Sequence, residues 1–293
     1  ERNTESFSAT AAERDAWARC FAFLEAWSDP AGGLAGVPFV WLEFDCADAA
    51  VLPPPKIFFA LSDAGAAGWA RTVERALDVL RPDLVDATLD TALRLQALLP
   101  SGAQIRHAGA ELNPESRGLR LVADGLPLER LPAVLRNAGW SGDGCGVVKR
   151  YRELVPGTPE ARINFDIFEK EIYPRLGAEI CYPESEKRSR WPACLDALVA
   201  RGLCSPERRR GLDEWVGSYG FLVRELDPLV LWRTMNHVKL GFAVDAAAGT
   251  LEITGAKAYL GWTPGQRPPA LGVGYCDVQQ QGKSENYGDQ FQL

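Results

Sequence analysis

The chain has 293 residues, 46% hydrophobic and 24% charged, a composition typical of globular proteins and unlike that of disordered, collagen-like or small disulfide-rich chains. Its 32 basic and 39 acidic residues give a formal net charge of -7, which argues against nucleic-acid or anionic-membrane partners, because both attract a basic surface. The seven cysteines form no CxxC pair, no apolar run reaches the length of a membrane span, and the polar residues 1–10 lack the apolar region of a signal peptide. We therefore expect a cytoplasmic protein with reduced thiols.

Helical periodicity and strand-like alternation divide most of the chain into short elements. Thr10 and Glu13 form a capping box at the start of the first predicted helix. The apolar spacing predicts helices over residues 10–27, 64–80, 83–99, 126–138, 191–200 and 205–216. Alternation predicts strands over residues 39–45, 56–62, 104–112, 118–124, 162–168, 176–182, 237–244 and 251–262.

The order of these elements predicts the fold class. Antiparallel strand pairs alternate with one or two helices. Single strands and single helices do not alternate in the regular manner of parallel βαβ units. We therefore predict an α+β fold of antiparallel hairpins and helix pairs, in one domain over residues 1–278. Residues 279–293 are polar and lack a core-forming pattern, which predicts a flexible C-terminal tail.

The predicted strands have one apolar face and one mixed face. The mixed face combines charged and aromatic residues, namely Trp41, Glu43, Asp45, Lys56, Phe58, Arg120, Arg162, Asn164, Asp166, Phe168, Glu179, Cys181, His237, Lys239, Phe242, Lys257 and Tyr259. An open sheet with one face in water gives this alternation. A closed barrel with helices outside and a wet interior gives it too, and about ten strands leave room for a ligand. The interspersed aromatic residues favour the barrel.

Common enzyme signatures are missing from the sequence. It contains no phosphate-binding GxxxxGK[ST] loop, no GxGxxG, no HExxH and no GxSxG. Two histidines are too few for a multi-histidine metal site, and no aspartate-rich DDxxD run occurs. We therefore expect no cofactor. A magnesium ion is compatible with the sequence, but no motif indicates one.

The chain resembles the ABBA-type aromatic and peptide prenyltransferases, in which ten antiparallel strands close around a solvent-filled interior. Lys239 in HVKLGF, and Lys257 with Tyr259 in AKAYLGW, look like the Lys-x-Tyr strands that hold an isoprenoid diphosphate in that family. Glu43 in WLEFD is similar to the glutamate that acts as a base in its indole-modifying members. The family needs two strands beyond the eight predicted. Either residues 147–154 and 271–276 supply them, or the barrel is incomplete.

The resemblance implies a transferase that moves an isoprenoid group from an allylic diphosphate to an aromatic or peptide acceptor. Cations would hold the diphosphate, aromatic faces would shield the allylic cation, and a carboxylate would accept a proton. The cations are Lys56, Arg120, Lys239 and Lys257; the aromatic residues are Trp41, Phe58, Tyr259 and Trp262; the carboxylates are Glu43, Glu179 and Asp166.

Two other interpretations use the same residues. A non-enzymatic accessory protein would hold a peptide or an apolar metabolite in the same cavity, without turnover. A hydrolase or isomerase would use paired carboxylates such as Glu43 and Glu179. Each charged residue also has a structural interpretation as a solvated or ion-paired side chain of a strand.

Overall fold

The structure is a computed structural model that describes residues 10–44, 54–61, 65–112, 118–158, 160–168, 170–221, 229–244, 250–266 and 287–292. Its helices, within these ranges, are α1 (Ala11–Ser28), α2 (Gly65–Leu80), α3 (Val85–Leu98), α4 (Leu131–Asn137), α5 (Gly144–Leu154), α6 (Glu184–Ala200) and α7 (Pro206–Trp215), with one 3₁₀ turn at Pro82–Leu84. The Thr10–Glu13 capping box is present, and Ser205 caps α7, as the sequence predicts.

In the part of the chain that the structure describes, ten antiparallel strands form one sheet. They are β1 (Val40–Glu43), β2 (Lys56–Ala60), β3 (Gln104–Glu111), β4 (Gly118–Pro127), β5 (Glu160–Phe168), β6 (Glu171–Cys181), β7 (Gly217–Phe221), β8 (Leu229–Val244), β9 (Leu251–Gln266) and β10 (Tyr287–Gln292). The hydrogen-bonded order is β1-β2-β3-β4-β5-β6-β8-β9-β10, and β7 pairs with the first half of β8. The sheet curls into a half-barrel.

The hydrophobic core lies between the helices and one face of this sheet. α2 packs against β3, and α3 packs against β4 and β5. The apolar faces predicted from alternation are buried there: Leu119, Leu121 and Ala123 on β4 are 0% exposed, and Ile163, Phe165 and Ile167 on β5 are at most 1% exposed. The α+β class and the antiparallel pairing are therefore confirmed. Burial on this side leaves the opposite side of the sheet, called here the polar face, as the place for ionisable residues.

Three local predictions differ from the structure. The helix predicted from residue 126 begins at Leu131, because β4 continues to Pro127 through a bulge at Gly125. Residues 147–154 belong to α5 and not to a strand, since Val147, Val148, Tyr151 and Leu154 are buried at helical spacing. The prediction of Phe242 on the mixed face is wrong. Phe242 lies opposite Leu176, is 0% exposed and shares the apolar face with Leu240.

The two strands missing from the sequence-based count are β7 and β10. The backbone of β10 pairs with β9 from Tyr287 to Gln292, inside the segment 279–293 for which the sequence predicts a flexible tail. Residues 271–276, the other segment considered for a strand, lie outside the described residues, as does Asp45. The Cα atoms of β1 and β10 approach within 8 Å, and no hydrogen-bonded register joins these strands in the described ranges.

Within the described ranges, no helix combines the length and the apolar composition that crossing a bilayer requires.

Candidate functional site

Strand register arranges the polar face in rows that run across the sheet. One row is Arg162, Glu179, Lys239 and Lys257 on β5, β6, β8 and β9. A neighbouring row joins Cys181, His237 and Tyr259. At the other end of the sheet, one row is Glu43, Lys56 and Glu111, and another is Trp41, Phe58, Gly109, Arg120 and Asp166. Residues opposite one another in an antiparallel pair share a face, so these rows form one surface.

Two of the cations predicted to bind a ligand form ion pairs with carboxylates. The Nζ atom of Lys56 lies 2.8 Å from Oε1 of Glu111 and 3.8 Å from Oε1 of Glu43. Arg120 donates two hydrogen bonds to Asp166, from Nε at 2.6 Å and from Nη2 at 2.9 Å. Burial opposes ionisation of Asp166, but Arg120 more than compensates and lowers the pKa of this carboxyl. A bidentate pair of this kind is strong and oriented, so it holds Arg120 in place.

Glu179 is the most buried charged group of the polar face, with 7% of its surface exposed. Its Oε1 accepts a hydrogen bond of 2.8 Å from Asn164, and its Oε2 lies 3.4 Å from Nη1 of Arg162 and 3.9 Å from Nε2 of His237. Burial favours the neutral acid, but His237, which is protonated in the acidic range where Glu179 titrates, outweighs it together with Arg162 and Lys239 and holds the pKa near 2. Such a carboxylate is ionised at neutral pH and is a weak base, so it organises its neighbours rather than accepting protons.

Lys239 differs from the other cations of the polar face. No hydrogen bond or ion pair holds its ammonium group in the part of the chain that the structure describes. Its Cε would lie 2.5 Å from a Cβ atom built on Gly177, so the stem rests on a glycine in the next strand. Burial and the charge of Arg120 lower its pKa to about 8, although Glu43, Glu179 and Asp166 act in the opposite direction.

Two aromatic pairs stand beside these charges. The ring of His237 stacks on Tyr259 with centroids 4.1 Å apart, and Trp41 meets His107 edge to face at 4.8 Å. Burial lowers the pKa of both histidines to about 4, and Arg162 adds to the effect. Both imidazoles are therefore neutral at physiological pH, and they add polar ring surfaces without charge.

The curl of the sheet makes the polar face concave. Five strands separate β1 from β8 in the hydrogen-bonded order. A flat sheet would set them six spacings of about 4.8 Å apart, roughly 29 Å. At that distance exposed charges would be screened, yet Glu43 on β1 raises the pKa of Lys239 on β8. The side chains of Glu43, Lys56 and His237 are only 11%, 18% and 14% exposed. The two ends of the sheet therefore face one hollow.

Most of the predicted site residues meet in this hollow. Glu43, Lys56, Arg120, Glu179, Lys239, Lys257, Tyr259 and Trp41 all lie in the rows of the polar face. Trp262 belongs to β9 opposite Arg233, and its side chain lies outside what the structure describes. Sequence analysis did not single out Glu111, Asp124 or His107, although the same alternation along β3 and β4 assigns them to this face.

The hollow is close to electrically balanced. Its described acidic and basic members are equal in number, the acids being Glu43, Glu111, Asp124, Asp166 and Glu179 and the bases Lys56, Arg120, Arg162, Lys239 and Lys257. Arg162 bridges Asp124 at 3.3 Å and Glu179. Two positive charges are neighbours at one place in these rows, where Lys239 and Lys257 stand directly opposite each other on β8 and β9.

No group of three or more His, Cys, Asp or Glu side chains within the described ranges is placed to hold a metal ion. Comparison of the chain with family models, with curated proteins and with solved structures gave no match in any of the three.

Proposed function

We propose that the protein transfers an isoprenoid group from an allylic diphosphate to an aromatic or peptide acceptor inside the hollow of the polar face. The pair of Lys239 and Lys257 is the observation that carries this proposal. Like charges directly opposite each other destabilise a sheet, so an anion that bridges the two ammonium groups would weaken their mutual repulsion. A diphosphate supplies several negative charges over the distance that separates neighbouring strands.

The neighbouring groups fit the remaining steps of such a transfer. Departure of diphosphate from the allylic carbon leaves a carbocation, which the π-faces of Tyr259 and Trp41 would shield. Glu43 would then accept the proton that the acceptor ring releases, because Glu179 is held ionised by Arg162 and Asn164 and is a poor base. Arg120, fixed by Asp166, would stabilise the leaving diphosphate from the far side.

Thermal melting with dimethylallyl and geranyl diphosphate tests donor binding. A ligand that binds only the native state raises the midpoint by mass action, so both donors should raise it at millimolar concentration. Lys239→Gln and Lys257→Gln should each reduce the shift. Lys149→Gln, at an exposed lysine of α5, is the matched control and should leave it unchanged. No shift with either donor would refute donor binding.

A second candidate function is binding without turnover, as in an accessory protein that holds a peptide or an apolar metabolite. The pairing of Lys56, Arg120 and Arg162 with carboxylates favours it, because a charge-balanced hollow suits a ligand of low charge. In that case Lys257→Ala should leave binding nearly intact, whereas Trp41→Ala and Tyr259→Ala should abolish it. Release of diphosphate from a labelled donor, in the presence of tryptophan or aromatic peptides, distinguishes the transferase from this binder.

A further inference from the structure

The side chain of Lys239 has three features that its neighbours on the polar face lack in combination. Its stem rests on Gly177, where any side chain would displace it. Its ammonium group has no hydrogen bond or ion pair in the described residues, whereas Lys56 lies 2.8 Å from a carboxylate. Its cross-strand partner on β9 is another lysine, Lys257. An amine that makes no direct ion pair, next to a second cation and inside a hollow, is in the setting in which lysines act as nucleophiles.

The charged groups around Lys239 lie on five strands. Glu179 on β6 and Lys257 on β9 are its direct neighbours, and Asp166, Arg120 and Glu43 act on it from β5, β4 and β1. Desolvation and Arg120 outweigh the three carboxylates, and the pKa is lowered to about 8. At pH 7 the neutral, nucleophilic fraction of this amine is therefore roughly 200- to 300-fold larger than that of an ordinary lysine.

We propose that the ε-amine of Lys239 forms an imine with a carbonyl compound that carries an anionic group, such as an α-keto acid or an aldehyde acid. The nitrogen lone pair attacks the carbonyl carbon and a C–N bond forms. The carbonyl oxygen takes up the two protons that the amine nitrogen releases and leaves as water, and the C=N double bond remains. No atom is oxidised or reduced. Lys257 attracts the anionic group of the substrate, because it is the cation directly opposite the reacting amine.

Reductive trapping tests this activity on the whole chain. The protein is incubated with glyoxylate or pyruvate and sodium cyanoborohydride, which donates a hydride to the imine, and peptide mass spectrometry locates the secondary amine. We expect Lys239 to be modified at least about tenfold faster than Lys149, which is exposed on α5, with a rate that rises between pH 7 and 9. Lys239→Arg keeps the charge but should remove the fast phase, and Lys257→Gln should slow it for glyoxylate more than for neutral formaldehyde.

Two results would overturn the proposal. One is equal modification of Lys239 and Lys149, and the other is a fast phase that persists in Lys239→Arg. Lys56→Arg, at a paired lysine of the same face, controls for damage to the hollow. The inference is independent of the transferase proposal: protection of Lys239 by dimethylallyl diphosphate would support both, and fast trapping without protection would support this one alone.

Discussion

Glu43 and Lys239 lie on strands that five others separate in the hydrogen-bonded order, and yet the carboxylate opposes the decrease that burial causes in the pKa of the amine. This relationship exists because the sheet curls and brings β1 and β8 to opposite sides of one hollow. Any function assigned to the polar face depends on it, since a flat sheet would spread the same residues over an exterior surface.

Removal of the Glu43 charge should lower the pKa of Lys239. A carboxylate stabilises the protonated amine, so Glu43→Gln favours the neutral form. An NMR titration that follows the Cε resonance of Lys239 measures the change. Glu160→Gln, at an exposed residue that begins β5, is the control and should leave the titration unchanged. An unchanged midpoint in Glu43→Gln would mean that the two strands do not share a hollow.

Glu179 should contribute stability that is lost in acid. Its folded pKa of about 2 lies below the unfolded value of about 4.5, so the unfolded chain binds the proton more tightly. The contribution is complete above pH 4.5 and falls as pH decreases towards 2, with a total on the order of 3 kcal/mol. Urea unfolding of the wild type and of Glu179→Gln measures this between pH 5 and 2. The variant should be less stable at pH 7 and should show a smaller slope in this window.

His237 should make the free energy of unfolding depend on pH in a higher range than Glu179 does. Its folded pKa of about 4 lies below the ordinary histidine value of 6.5, so the unfolded chain binds more protons between these values. The contribution of His237 to stability is therefore complete above pH 6.5, and the stability decreases by about 2 to 3 kcal/mol as pH falls to 4. His237→Phe keeps a ring on Tyr259 and should remove this loss. The same decrease in His237→Phe would assign the effect to His107 or to other groups.

Gly109 should be essential for the position of Phe58. A Cβ atom built on Gly109 lies 2.4 Å and 2.5 Å from two carbons of the Phe58 ring, so the ring covers the glycine backbone. Gly109→Ala forces the ring away from the sheet and should cost about 1 to 3 kcal/mol of unfolding free energy. Gly118→Ala in β4 is the control, because its Cβ would meet only ordinary contacts, the nearest at 3.4 Å.

Chemical denaturation of both variants, alone and combined with Phe58→Leu, checks the cause. The cost of Gly109→Ala should shrink in the Phe58→Leu background, because the smaller side chain leaves space for the new methyl group. An undiminished cost would attribute the loss to the backbone of β3 instead.

Local patterns in the sequence predicted most of the secondary structure. The capping box fixed the start of α1, and alternation identified the buried faces of β4 and β5, because each of these features depends on residues close together in the chain. β7 and β10 were missed, since their short and polar sequences form strands only by pairing with β8 and β9. Residues 147–154 were ambiguous until burial of Tyr151 and its neighbours decided for a helix.

The sequence by itself determined which residues share the polar face, because the side chains of a strand alternate with a period of two. Only the tertiary structure decided what those residues do to one another. The curl of the sheet brings Glu43 within electrostatic range of Lys239, register sets Lys257 opposite that amine, and Asp166 and Glu111 engage Arg120 and Lys56. Pairing, burial and pKa depend on distances between residues far apart in the chain, and no local pattern in a single sequence encodes those distances.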